Sequence, residues 1–229
     1  ERTLEASTRA FPANGFATFL TNHDQNRTMS VLGDDLDKAK LAASLLLTSP
    51  GVPFLYYGEE IGMLGTKPDE NIRRPMQWSG EANAGFTSGV PWRAPEGDYQ
   101  VKSVASQTSN PDSLLSHYRA LIRLRNEHAA LRVGEYLPVQ TGSNAVLAFL
   151  RVSQEEIVLA VINLSKRPVA EYALTLEKGP FSGQYTVVPM MGKGKFTNFS
   201  VNANGGFDNY QPLPELPAAA TILLQVQSR

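Results

Sequence analysis

The sequence predicts an α/β unit followed by an all-β domain, and three observations carry that prediction. A strand–helix–strand pattern occupies the first part of the 229 residues. An amphipathic helix then closes that part. Beyond about Val133 the periodicity changes to short alternating strands separated by turn signals. The fold class is therefore α/β plus all-β, divided at residues 1–132 and 133–229.

The first element is Gly15-Phe16-Ala17-Thr18-Phe19-Leu20, an apolar run that reads as a buried strand over about 16–21. Helical spacing of Leu36, Ala39, Lys40, Ala43 and Leu47 predicts a helix from Asp35 to Thr48, capped by Asp34 or Asp35 and stopped by Pro50-Gly51. Val52 to Tyr57 is a second apolar strand, and strand–helix–strand is the unit of a parallel sheet. Residues 62–111 are rich in Gly, Pro, Asn and Ser and read as one long irregular loop, a length usually tied to function or disorder. Its two tryptophans and Phe86 argue for order. Ser113 caps a helix running to about His128, with Leu114, Leu115, Tyr118, Leu121 and Ile122 on its apolar face. Predicted strands of the second domain are Glu135–Thr141, Ala145–Val152, Ile157–Leu164, Ala170–Leu176, Gln184–Pro189 and Thr221–Val226. Gly142-Ser143-Asn144 and Asn204-Gly205-Gly206 are turn signals. This is the pattern of an antiparallel β-sandwich.

Composition narrows the function classes. With 21 basic and 22 acidic residues, the formal charge of −1 gives no footprint for nucleic acid or anionic membrane. No apolar stretch approaches the roughly 20 residues of a membrane span. Cysteine is absent, which excludes thiol chemistry and leaves the compartment open. His23, His117 and His128 form no metal-ligand spacing. The start at Glu1-Arg2-Thr3, without Met or leader, reads as a mature or truncated product.

Chemistry concentrates at the end of the first strand, in Asn22-His23-Asp24 and, three residues on, Arg27. Barrel enzymes place catalytic groups at the carboxyl ends of strands. A lone Asp there also serves as a cap, and adjacent residues reach one site only where the strand ends or bulges. Arg27 suits pairing with a carboxylate, which it would hold ionised. Glu59 and Glu60, after the second strand, are the other acidic candidates. A pair of carboxylates about 5 to 5.5 Å apart is the arrangement of a retaining glycosidase, whereas bracing the loop is the plainer role for either residue.

The ordered motifs resemble the α-amylase family of glycoside hydrolases (glycoside hydrolase family 13). Phe19-Leu20-Thr21-Asn22-His23-Asp24-Gln25-Asn26-Arg27 is similar to its fourth conserved region, which closes the seventh strand of a (β/α)8 barrel. Gly51 to Met63 resembles the eighth-strand segment. Arg73-Arg74-Pro75-Met76-Gln77-Trp78, Asn83-Ala84-Gly85-Phe86-Thr87 and Pro91-Trp92 resemble the loop after it, in the branch of oligo-1,6-glucosidases, trehalose synthases and related amylases. Ser113–Arg125 is similar to the eighth barrel helix, and Ala130–Tyr136 to its exit into the C-terminal domain.

The resemblance implies the last quarter of a (β/α)8 TIM barrel followed by an antiparallel β-sandwich. It makes Asp24 the catalytic acid that binds the 2- and 3-hydroxyls of the reacting sugar and stabilises the transition state. It makes Asn22, His23, Arg27 and Arg73 substrate-binding, with Arg27 doing orienting or loop-bracing work and Arg73 closing the non-reducing end of the pocket. Arg74 departs from the commoner Thr. The family's nucleophile Asp lies in a Gly-Phe-Arg-x-Asp pattern that this sequence does not contain, and its general acid is a Glu after the fifth strand. The chain is thus expected to be a fragment of a retaining α-glucoside hydrolase acting on α-glucans or maltooligosaccharides, inactive without the missing N-terminal barrel portion. Competing expectations are a transglycosylase or isomerase of the same family and a non-catalytic carbohydrate-binding module. No cofactor is expected within the chain. The family's calcium belongs to the domain inserted after the third strand, in the missing portion.

Overall fold

The computed structural model describes residues 2–11 and 15–229. Two compact units are present, one comprising residues 17–47 and 53–123, the other residues 1–16, 48–52 and 124–229.

The first unit holds the predicted strand–helix–strand run in shortened form. Strand β1 (Ala17–Phe19), the short helix α2 (Thr28–Val31), helix α3 (Leu36–Thr48) and strand β2 (Val52–Phe54) come after helix α1 (Arg2–Ala10) in the chain. β1 and β2 form a two-stranded sheet. β2 stops three residues earlier than predicted because its continuation is diverted to other partners: Tyr56 N donates to Glu59 Oε2 at 3.2 Å and the Tyr57 carbonyl accepts from Arg27 at 2.7 Å. The long loop is ordered by short helices, α4 (Asp69–Ile72) and α5 (Val104–Thr108), with 3-10 turns at Glu59–Ile61 and Ala82–Gly85. Gln107 ties it down, donating to the Ile61 carbonyl at 2.8 Å and accepting from Leu115 N at 3.1 Å. Ile61, Met63, Met76 and Leu115 form a buried core beneath it. Helix α6 (Leu114–Glu127) matches the predicted amphipathic helix, and His117 Nε2 meets Ser44 Oγ of α3 at 2.9 Å.

The second unit is dominated by a seven-stranded antiparallel sheet. After helix α7 (Ala129–Val133) come β3 (Glu135–Thr141), β4 (Val146–Val152), β5 (Ile157–Asn163), β6 (Leu174–Leu176), β7 (Tyr185–Met191), β8 (Phe207–Tyr210) and β9 (Thr221–Ser228). Their spatial order is β7-β9-β5-β4-β3-β6-β8. Alternation sends Val146, Ala148 and Leu150 of β4 into one large apolar core with Leu159, Val161, Leu174, Phe207, Ile222 and Leu224. The sheet curls until its two edge strands share an aromatic cluster. Phe181 lies 5.0 Å from Tyr185 of β7, and Phe199 lies 4.9 Å from both Phe181 and Phe207 of β8.

Three further departures from the sequence reading stand out. α1 carries a single long apolar side chain, Leu4, so no apolar stripe announced it. β8 reads Phe-Asp-Asn-Tyr, with two residues depleted in strands at its centre, although the turn before it was legible. The strand expected over Ala170–Leu176 is regular only from Leu174, because its first half spends its groups elsewhere. The Tyr172 hydroxyl bonds the Leu213 carbonyl, and the Ala170 carbonyl accepts from Gln211 Nε2 at 2.8 Å.

Two buried arginines complete this unit. Arg151 donates to the carbonyls of Thr48 at 2.7 Å and Gly134 at 3.0 Å, and Arg125 donates to those of Ser49 at 3.0 Å and Gly51 at 2.6 Å. Burial lowers Arg125 to about 10 and Arg151 to about 9, so both stay charged at neutral pH.

Candidate active site

The strand β1 ends at Phe19, and the chain then turns. Asn22 Oδ1 accepts from Asp24 N at 2.9 Å, and Gln25 N donates to the Asn22 carbonyl at 3.3 Å. Because the pleat has ended, two sequence neighbours reach one corner: His23 Nε2 lies 3.3 Å from Asp24 Oδ2. Arg73 arrives from the long loop. Its Nη2 donates to Asp24 Oδ1 at 2.9 Å, and its Nε to the His23 carbonyl at 2.9 Å. Asp24, His23 and Arg73, separate candidates in the sequence, are therefore one cluster, and Asn22 shapes the turn that presents it.

Sequence reasoning missed what holds Arg73. Asp69 Oδ2 pairs with its Nη2 at 2.7 Å, and Lys67 Nζ reaches Asp69 Oδ1 at 2.7 Å. The hydrogen bond from Lys67, helped by Arg73, keeps the Asp69 carboxyl below its ordinary range. The signal was the four-residue spacing of Asp69 and Arg73, which pairs side chains on one helical turn. The Asp24 carboxylate is 62% exposed, and ion pairs at such surfaces contribute only about 0–1 kcal/mol. Four charged residues, Asp24, Arg73, Asp69 and Lys67, thus converge at one exposed corner.

Arg27 lies in a different environment. It is 1% exposed, and its guanidinium sits 4.7 Å from the ring centroids of both Tyr56 and Tyr57. Nη1 donates to the Tyr57 carbonyl, and burial lowers its pKa. The two tyrosine hydroxyls continue outward, Tyr56 to the Ile72 carbonyl at 3.2 Å and Tyr57 to the Arg74 carbonyl at 2.7 Å. Those carbonyls flank Arg73. A packed path thus runs from Arg27 through two tyrosines to the residue that clasps Asp24. It needs Gly58 (φ +83°), where a Cβ would fall 2.3 Å from Met63 Sδ.

Glu59 is buried, accepting from Thr28 Oγ1 at 2.7 Å and from Tyr56 N. Burial, against the pull of those two hydrogen bonds, pushes its pKa from 4.5 up to about 7. A raised carboxyl favours folding below the unfolded value and loses that contribution as pH rises through the folded one. Wild type is therefore expected to lose up to about 3 kcal/mol relative to Glu59→Gln between about pH 5 and pH 8. Urea unfolding of both proteins across that range checks it; parallel stability curves would contradict the buried acid.

Glu60, Arg73 and Arg74 line a cleft of about 400 Å³ with Tyr57, Met76 and three exposed aromatics, Trp78, Phe86 and Trp92. Among the described residues no group of three or more His, Cys, Asp or Glu side chains is placed to hold a metal ion. No helix among them is long and apolar enough to cross a membrane.

A sequence model of the alpha-amylase catalytic domain matches residues 1–134, more than half of the chain. The chain belongs to the α-amylase family. Alpha-amylase 3 of Dictyoglomus thermophilum is 38% identical over 152 residues, covering 66% of this chain and 30% of that protein. An oligo-1,6-glucosidase of Halalkalibacterium halodurans is 31% identical over 189 residues, 65% of this chain and 34% of its own length. The crystal structure of an α-amylase from H. orenii superposes with a TM-score of 0.66 at 38% identity, covering 92% of this chain and 40% of that one. The chain thus spans about a third of the length of these α-amylase-family relatives.

Proposed function

We propose that the chain is the C-terminal portion of a retaining α-glucoside hydrolase that acts on α-glucans or maltooligosaccharides. Residues 1–132 form the end of a (β/α)8 barrel, strands seven and eight with their helices and active-site loop, and residues 133–229 the C-terminal β-sandwich. The observation that carries this reading is the Asp24–His23–Arg73 cluster, built at the end of a strand from three positions that each match a family motif. Asp24 is the transition-state-stabilising acid. A fixed carboxylate accepting from the 2- and 3-hydroxyls gains strength as the ring flattens and charge develops, and that differential binding is catalysis. His23 donates to the same hydroxyls, Asn22 shapes the turn, Arg73 holds Asp24 in one rotamer while closing the pocket, and Arg27 braces the loop beneath.

The nucleophilic Asp and the general acid Glu come from an N-terminal barrel portion, which is the partner this reading requires. Calcium, where the family uses it, belongs to that portion, and no cofactor is assigned to the chain itself. The competing reading, a carbohydrate-binding module working through the sandwich, is separated by calorimetric titration with maltotriose. Asp24→Ala and His23→Ala are expected to weaken binding at least about tenfold. Unchanged affinity in both would move the function to the sandwich surface.

A further inference from the structure

A cavity of about 470 Å³ lies wholly within the second unit and shares no residue with the Asp24 cluster. Its volume suits a small molecule, for which pockets run from about 300 to 1,000 Å³. Phe11 and Phe16, with ring centroids 6.1 Å apart, belong to its apolar lining together with Pro50 and Pro138. Phe11 is 51% exposed, an aromatic surface that a ligand would take out of water.

The buried polar group of the lining is Arg151. Alternation along β4 sends Ala148 and Leu150 into the sandwich core and leaves Arg151 on the opposite face, across from Tyr136 of β3. Arg151 is 1% exposed, and its hydrogen bonds all go to carbonyls: Nη1 to Thr48 at 2.7 Å, Nε to Gly134 at 3.3 Å and Nη2 to Gly134 at 3.0 Å. Each terminal nitrogen carries a second N–H, and neither of these has an acceptor among the described residues. No carboxylate among those residues offsets its charge, and Arg125 adds to the cost of burying it. The acids of the lining are engaged or solvated elsewhere. Glu5 pairs with the exposed Arg9 at 3.6 Å, and Glu135 faces water, where charges interact weakly. The uncompensated charge of this cavity is therefore the buried one.

These features define a ligand. A carboxylate accepts from the terminal nitrogens of a guanidinium as a forked pair, which suits the two N–H groups left over. One negative charge matches one cation, whereas a second would stand unpaired in a lining that already holds Glu5 and Glu135. The Phe11–Phe16 wall suits a flat apolar body on the same molecule. We propose that this cavity is a binding site for a small aromatic monocarboxylate, held by Arg151 at its charged end and by Phe11 and Phe16 along its ring. The site goes beyond the proposed function and does not depend on it.

Sodium benzoate is the probe, and a ligand-observed NMR titration of the 229-residue chain at constant ionic strength reads its affinity. A molecule of this size is expected to bind with a Kd of about 1–10 mM. Benzamide keeps the ring and the shape but not the charge, and is expected to bind at least about tenfold more weakly. Phe11→Ala is expected to weaken benzoate about three- to tenfold while circular dichroism stays that of wild type. Arg151→Gln is expected to abolish the preference for benzoate over benzamide. If losing the carbonyl bonds unfolds that variant, the benzamide comparison and Phe11→Ala still decide. No saturable response to benzoate up to about 100 mM, equal binding of benzamide, or an affinity unmoved by Phe11→Ala would each overturn the proposal. A preference for benzoate that persists in a folded Arg151→Gln chain would overturn it too.

Discussion

Asp24→Asn, introduced into the enzyme reconstituted from this chain and its N-terminal barrel portion, is expected to lower kcat by about 10²–10³-fold with a far smaller change in KM. The amide keeps the shape and accepts one hydrogen bond, so ground-state binding is largely preserved. What it lacks is the full negative charge that strengthens both bonds as the sugar approaches an oxocarbenium ion. The geometry makes the substitution clean. Arg73 Nη2 donates to Asp24 Oδ1 at 2.9 Å, and the Asn22 cap binds the backbone of residue 24 rather than its carboxylate. The turn should survive the change. Steady-state kinetics on a nitrophenyl α-glucoside give the two constants separately, and an effect confined to KM would contradict the role assigned to Asp24.

The second large effect is expected far from solvent. Arg27→Ala should destabilise the unit that carries the site by about 3–5 kcal/mol. The substitution empties a volume packed against Tyr56 and Tyr57, removes two cation–π contacts and leaves the Tyr57 carbonyl without its donor. Arg27→Lys should recover only part of the loss, because an ammonium cannot stack flat against two rings. Urea unfolding monitored by tryptophan fluorescence measures it directly, since both tryptophans lie in that unit. A loss under about 1 kcal/mol would mean that the guanidinium braces nothing.

The range of each interaction decided how legible it was. The Asn-His-Asp turn was visible because it is local: an apolar run stops and polar residues succeed it within four positions. Arg73 was visible as a motif residue, but its clasp on Asp24 joins residues 49 apart, and no periodicity encodes that distance. The surroundings of Arg27 were hidden for the same reason, since its two tyrosines lie on the next strand's exit. β4, β5 and β9 were readable because runs of apolar and β-branched residues leave few alternatives. β8 was not, because four residues with Asp and Asn at the centre form a strand only by pairing with β6. The early end of β2 belongs to the same class: Tyr56 and Tyr57 look like strand residues, and tertiary hydrogen bonds to Glu59 and Arg27 override that propensity.

The proposed function requires that this chain supply one wall of an active site whose nucleophile and acid come from elsewhere. The decisive measurement is hydrolysis of a nitrophenyl α-glucoside by the purified 229-residue chain alone, repeated after adding the N-terminal barrel portion. No turnover above background is expected for the chain by itself, with turnover that appears on mixing and depends on Asp24. Robust hydrolysis by the verified chain alone would contradict that division of the site.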